Sequence, residues 1–195
     1  NKRVLMIGTD MAAGKMTVGL ELYSYLTDKK INTGFVATGQ VGITITGRGI
    51  PLDAYKLDHA CGAVESAIIE QKDKDIIIVE GQGSILHPGS SATLPLMRGA
   101  CPTHMILCHI ARNQTLRSVE NIRIPDLKKF ISLNEQLASV IGTYPESKVV
   151  GIALNTNLMS EKSARKFIKK VEKDTGLPST DVVRFGGDKI FSQLV

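Results

Sequence analysis

The sequence predicts an α/β fold, a mostly parallel sheet flanked by helices on both faces. Short β-branched runs alternate with amphipathic stretches along the whole chain, and strands such as Ile76-Ile77-Ile78-Val79 are apolar on both faces, as strands covered from each side must be. Size agrees: 195 residues, 43% hydrophobic and 22% charged, suffice to bury roughly 70% of the unfolded chain's surface around one core. One domain spanning residues 1–195, with no structural metal or disulfide, is expected.

In order, Arg3–Ile7 reads as the first strand, followed by a glycine-bounded turn and a helix that opens at Gly14-Lys15. Gly34–Thr38 is the second strand. Asp53–Gln71 is a helix that places Ala54, Leu57, Ala60, Cys61, Val64, Ala67 and Ile68 on one face. Strands Asp75–Val79 and Met105–His109 follow, then a helix from Asp126 to Gly142 through Leu127, Phe130, Ile131, Asn134, Leu137, Ala138 and Ile141. Val149–Leu154 is a strand, Lys162–Lys173 a helix and Asp181–Val183 a last short strand. Three glycine-rich stretches, Gly8–Gly14, Gly39–Gly49 and Gly81–Gly89, follow strands, where sheets of this class bind their ligands. Asn1 is not a start methionine and the first strand begins almost at once, so the chain is expected to be the C-terminal part of a longer protein.

The net charge of +5 is uneven: residues 1–111 carry ten groups of each sign, residues 112–195 fourteen basic and nine acidic. Much of the excess lies between Lys162 and Lys173, where Ala164, Phe167, Ile168 and Val171 recur at helical spacing and lysines take the other face. That is a solvated helix face; no aromatic residues interleave to stack bases, so nucleic acid is not an expected partner. Cys61, Cys101 and Cys108 form no CxxC pair, and there is no signal peptide or long apolar run. A reducing cytoplasm, away from membranes, is the expected setting.

Met6-Ile7-Gly8-Thr9-Asp10-Met11-Ala12-Ala13-Gly14-Lys15-Met16-Thr17 has the chemistry of an anion cradle. Gly8 permits a sharp turn off the strand, Gly14 a close backbone approach, and the first N–H groups of the helix point at the anion with the helix dipole behind them. Lys15 adds a full charge. Five residues separate Gly8 from Gly14 where the common P-loop has four, and Met16 stands where a magnesium-binding hydroxyl is usual, with Thr17 one position later. Glu80 closes an apolar strand before Gly81-Gln82-Gly83, so its carboxylate is expected at the ligand edge. It would suit magnesium with Asp10, Asp53 or Asp58 as a second partner, or form a salt bridge with Lys15. Asp53 serves equally well as a residue opening the next helix.

These residues resemble known families. Gly8-Thr9-Asp10 with Gly14-Lys15, and Val79-Glu80-Gly81-Gln82-Gly83, are similar to the widened P-loop and the VEGxG strand end of dethiobiotin synthetases, a P-loop NTPase-like fold. The resemblance implies magnesium binding at Glu80 and, through Val150-Gly151-Ile152-Ala153-Leu154-Asn155, an adenine contact for Asn155. GTDMAAGKMT, ATGQVGI, VEGQGSILHPGSSATL, Leu107-Cys108-His109 and TGLPSTDVVRFGGD together resemble the C-terminal P-loop domain of the DgcN family, which includes a D-glutamate N-acetyltransferase. Its members usually carry a separate N-terminal domain.

Three functions follow as expectations. In the first, the loop holds the diphosphate of acetyl-CoA while acetyl passes to the amine of D-glutamate or a similar small substrate, with His87 or His109 as base. In the second, the chain is an ATP- and magnesium-dependent ligase or kinase acting on a small carboxylate, although Ala37-Thr38-Gly39 stands where dethiobiotin synthetases carry a lysine. The third is a non-catalytic nucleotide-binding module. Gln40, Arg48, Gln82 and Ser84 are candidate substrate contacts, Arg48 by bidentate grip of a carboxylate or else as a surface residue. His59 and His104 read as packing or surface residues and Cys108 as a small buried hydrophobe rather than a nucleophile. A homo-oligomer is compatible with all three readings.

Overall fold

A computed structural model describes residues 1–195. Its strands are β1 (Lys2–Gly8), β2 (Thr33–Val36), β3 (Ile76–Val79), β4 (His104–Ile110), β5 (Thr115–Leu116), β6 (Val119–Arg123), β7 (Lys148–Asn155) and β8 (Ser179–Thr180). The helices are α1 (Lys15–Asp28), α2 (Gln40–Thr46), α3 (Leu57–Ile69), α4 (Thr93–Ala100), α5 (Leu127–Ser139), α6 (Glu161–Thr175), α7 (Val182–Phe185) and α8 (Asp188–Phe191). Six strands form one sheet in the order β2-β3-β1-β4-β7-β8, and every neighbouring pair is parallel. The predicted α/β class is therefore the observed one.

Alternation along β1 explains the layers. Val4 and Met6 pack with Val18, Leu22 and Leu26 of α1 and with Phe191 of α8. Leu5 and Ile7, one residue out of phase, pack on the opposite face with Val64 of α3, Leu96 of α4 and Phe130 of α5. Each such buried side chain contributes about 1.5–3 kcal/mol of transfer free energy, against roughly 1–2 kcal/mol of backbone entropy per ordered residue. A central strand must therefore be apolar on both sides, as Ile76–Val79 is.

The sheet order also places the site. From β1 the chain runs through α1 to β2 on one flank; from β3 it runs through α4 to β4 on the other. Successive connections diverge around β1, which opens a crevice at the carboxyl ends of the central strands. The loops after β1 and β3 lie at that crevice.

Five features differ from expectation. The segment Asp181–Val183 is not a strand: β8 ends at Thr180, and Asp181 caps α7 by accepting from Val183 N and Arg184 N. Helix Asp53–Gln71 is interrupted; a short 3-10 turn spans Leu52–Ala54, Tyr55 is extended, and α3 begins at Leu57. The helix expected to reach Gly142 ends at Ser139, because Val140 and Ile141 adopt positive φ. The stretch Gly39–Gly49 is not all loop, since α2 occupies Gln40–Thr46, and the hairpin of β5 and β6 carries no alternation strong enough to have announced it.

Candidate phosphate-binding site

The loop between β1 and α1 is held open by backbone chemistry. Thr9 N donates to Cys108 O at 3.1 Å, fixing the end of β1 to β4. Ala12 (φ 53°) and Gly14 (φ 101°) both adopt left-handed backbone, a pattern that builds anion-binding concavities. The first hydrogen-bonded amide of α1 is Val18, which donates to Gly14 O at 3.0 Å, and Gly14 offers the helix no side-chain cap. The N–H groups of residues 12–17 donate to no acceptor of the chain. Six donors at a helix N-terminus with no internal partner are what a phosphate group satisfies.

Lys15 is only 6% exposed, and its Nζ reaches back across the loop to Asp10 O at 3.0 Å. Burial pushes its pKa below the ordinary lysine value, with Cys108, Asp10 and Glu80 opposing that shift. No salt bridge joins Lys15 to Glu80. Gly81 is required beside it, since a Cβ there would stand 1.7 Å from Met6 O.

Glu80 sits at the end of β3 as expected and is buried. Its Oε2 accepts from Thr38 N at 2.9 Å and Gly39 N at 3.1 Å, and its carbonyl accepts from Thr38 Oγ1, so one residue pins the start of the β2–α2 connection. Its Oε1 takes no hydrogen bond from the chain. Both oxygens of Asp10 are engaged, Oδ1 by Met11 N at 2.7 Å and Oδ2 by Arg117 N at 2.9 Å. Asp53 is exposed on its 3-10 turn, and Asp58 is exposed on α3. No three acidic, histidine or cysteine side chains are grouped to hold a metal. Oε1 of Glu80 fits the single carboxylate contact that magnesium takes when phosphate oxygens and water fill its other positions.

The histidines divide. His109 is buried under the loop, with Nδ1 2.9 Å from Thr9 Oγ1, and burial pushes its pKa down to about 4, so the ring is neutral near pH 7. His87 accepts from Gly89 N at its Nδ1 (3.1 Å), which leaves the proton of a neutral ring on Nε2, a buried atom without a partner. With Nδ1 occupied and Nε2 buried, the ring meets no other polar group of the chain. His104 pairs with Thr103 Oγ1 at the other end of β4, and His59 is exposed. Cys108 is fully buried with its thiol pushed up to about 12, which suits a hydrophobe and not a nucleophile.

Gln82 lies beside the loop, its Nε2 close to Gly39. The Ser84 hydroxyl accepts from Leu86 N and shapes its own turn. Gln40 is exposed at the start of α2, and Arg48 lines a separate cleft with Tyr55, His59 and Glu70. Asn155 closes β7 and lines a cleft of about 190 Å³ with Ala13, Gly14, Thr17, Val182 and Arg184, directly beside the start of α1. Behind that cleft, Asp181 Oδ2 accepts from Thr156 N (2.9 Å) and Thr156 Oγ1 (2.6 Å), and Arg184 donates to Thr156 O and Met159 O. The segment TGLPSTDVVRFGGD that carries this wall stands out in the sequence, but its place beside the loop does not, and Arg117 belongs to no motif.

The chain is similar to known proteins along nearly its whole length. A family model described as "Domain of unknown function (DUF1611_C) P-loop domain" matches residues 1–191. A curated protein of Tritonibacter scottomollicae named D-glutamate N-acetyltransferase is 35% identical over 194 residues, which are 99% of this chain and 58% of that protein. The chain thus spans little more than half the length of that relative. The crystal structure of a DUF1611 family protein from Anabaena variabilis superposes with a TM-score of 0.96 at 46% identity, over 98% of this chain and 56% of the other. Cobyrinic acid a,c-diamide synthase of Mycobacterium smegmatis, solved with an ATP analogue and magnesium, shares the fold at a TM-score of 0.60 and 14% identity, over 98% of this chain and 92% of its own.

Proposed function

The chain belongs to the DUF1611 family, and from that premise we propose that its P-loop holds the diphosphate of acetyl-CoA while an acetyl group passes to the amine of D-glutamate or a similar amino acid. The observation that carries the phosphate half is the set of six amides, residues 12–17, that find no acceptor in the chain beside a buried Lys15. The acetyl half is supported by the name of a relative 35% identical over 194 residues.

The cleft lined by Asn155, Thr17 and Val182 is of a kind to take the adenine, so the cofactor would be gripped at two points remote from the reacting carbon. Such grip leaves the thioester positioned and lowers the entropy cost of meeting the amine. In the reaction a C–N bond forms and the C–S bond breaks. Of the two protons the ammonium loses, one ends on the thiol and the other reaches solvent.

A second reading rests on Glu80. Its free Oε1 at the ligand edge suits magnesium, which bound beside ATP would neutralise phosphate charge in an ATP-dependent ligase or kinase acting on a small carboxylate.

One assay separates the readings. The chain, and the longer protein of a relative, are mixed with acetyl-CoA and D-glutamate, or with ATP, magnesium and small carboxylates, and free thiol and phosphate are followed. Thiol release without phosphate is expected; phosphate alone selects the ligase, and neither selects a binding module. Lys15→Ala is expected to weaken acetyl-CoA and ATP binding by roughly tenfold to a hundredfold. Unchanged affinity for both ligands would remove the phosphate-loop reading.

A further inference from the structure

The hairpin of β5 and β6 follows β4 at the carboxyl edge of the sheet and is fastened to the phosphate loop. Asp10, buried at 2% exposure, accepts Arg117 N at 2.9 Å through Oδ2 while its Oδ1 accepts Met11 N. Leu116, the preceding residue, is fully buried and anchors the hairpin from the other side. Arg117 itself is exposed, so its side chain starts one bond from an atom held by the loop's own carboxylate. Its guanidinium makes no hydrogen bond and no ion pair within the chain, and the same is true of Arg112 and Arg123 on either side; Glu120 is the one acidic residue among them.

We propose that Arg117 binds a second oxyanion at the mouth of the phosphate loop, distinct from the phosphates that the amides of residues 12–17 and Lys15 hold. A buried carboxylate satisfied by two backbone amides fixes the hairpin's position, so Arg117 is tethered to the loop through its backbone while its exposed, unpaired guanidinium stays free to form charge-assisted hydrogen bonds with an arriving anion. The ligand chemistry is a carboxylate or a phosphate, presented either by the amino-acid acceptor or by the 3′-phosphate of CoA. The inference rests on the phosphate-loop reading above. It also gives Asp10 a different duty from the metal ligation expected for it, because both of its oxygens serve to join hairpin and loop.

The test titrates the chain and its Arg117→Gln variant with three probes. Inorganic pyrophosphate reports on the loop alone. D-glutamate added at saturating CoA reports on an acceptor carboxylate, and acetyl-CoA compared with its 3′-dephospho form reports on the 3′-phosphate. The expected result is a loss of about tenfold or more in one of the last two arms, with pyrophosphate affinity unchanged, since a charge-assisted hydrogen bond is removed from one anion only. The arm that responds identifies the source. Equal loss for pyrophosphate, or no loss in any arm, overturns the proposal. If the unmodified chain fails to bind pyrophosphate, the phosphate-loop reading itself falls, which is a separate and distinguishable outcome.

Discussion

His109 shows how one buried side chain sets conditions for the whole site. Its ring stands under the loop against Thr9 Oγ1, and burial lowers its pKa from about 6.5 to about 4. Between those two values the unfolded chain takes up a proton that the folded chain refuses, so stability falls as pH drops through about 6.5 and levels off below about 4. One such group contributes a slope of up to about 1.4 kcal/mol per pH unit. His109→Gln, which keeps a hydrogen-bonding partner for Thr9, is expected to flatten that slope in urea unfolding measured across the window. Identical slopes for variant and parent would mean that the ring is not held neutral. The same low pKa keeps the His109 ring neutral near pH 7, and Nδ1 of His87 is occupied by the Gly89 N–H. Position along the chain brought both histidines into consideration; only the structure shows their partners.

Among the elements, the short α7 carries more than its length suggests. Asp181 accepts four hydrogen bonds, two from Thr156 at the end of β7 and two from the first amides of α7, and so builds the wall of the cleft beside Asn155. Asp181→Ala leaves these donors unpaired and removes a helix cap, at a cost of about 2–4 kcal/mol to stability. Because the wall faces the cleft and not the loop, affinity for adenine-bearing ligands is expected to fall further than affinity for pyrophosphate. Calorimetric titration of both probes checks this, and a parallel decline would show only a general loss of fold. Val182-Val183 is β-prone, and Asp181–Val183 reads as a strand for that reason. The cap formed by Asp181 overrides that propensity, and the strand lies just before it, at Ser179–Thr180.

For the molecule as a whole, two apolar layers share one sheet. Residues of β1, β3, β4 and β7 contribute alternately to the layer under α3, α4, α5 and α6 and to the layer under α1 and α8. Neither layer persists without the sheet between them, so the chain is expected to unfold in one cooperative step. Coincident urea transitions by far-ultraviolet circular dichroism and tyrosine fluorescence are the check; separated midpoints would divide the molecule into independently stable parts. Pyrophosphate or a nucleotide that binds only the folded chain should shift that single midpoint upward as its concentration rises.

The sequence alone determined what depends on short-range chemistry. Short β-branched runs apolar on both faces marked the central strands, a period of 3.6 marked the longer helices, and Gly8, Gly14 and Lys15 marked the anion loop, because turn geometry and helix N-terminal charge are local properties of the backbone. The position of Glu80 was legible in the same way, from an apolar run that ends at an acid before glycine. The structure alone decided which distant groups share one site. The hydrogen bond between Asp10 and Arg117 spans 107 residues, that between Glu80 and Thr38 spans 42, and the removal of Arg48 to a separate cleft follows from the path of α2. A hydrogen bond between residues so far apart leaves no periodic trace in the chain. It arises where two loops are carried to one sheet edge by strands whose order is fixed by packing.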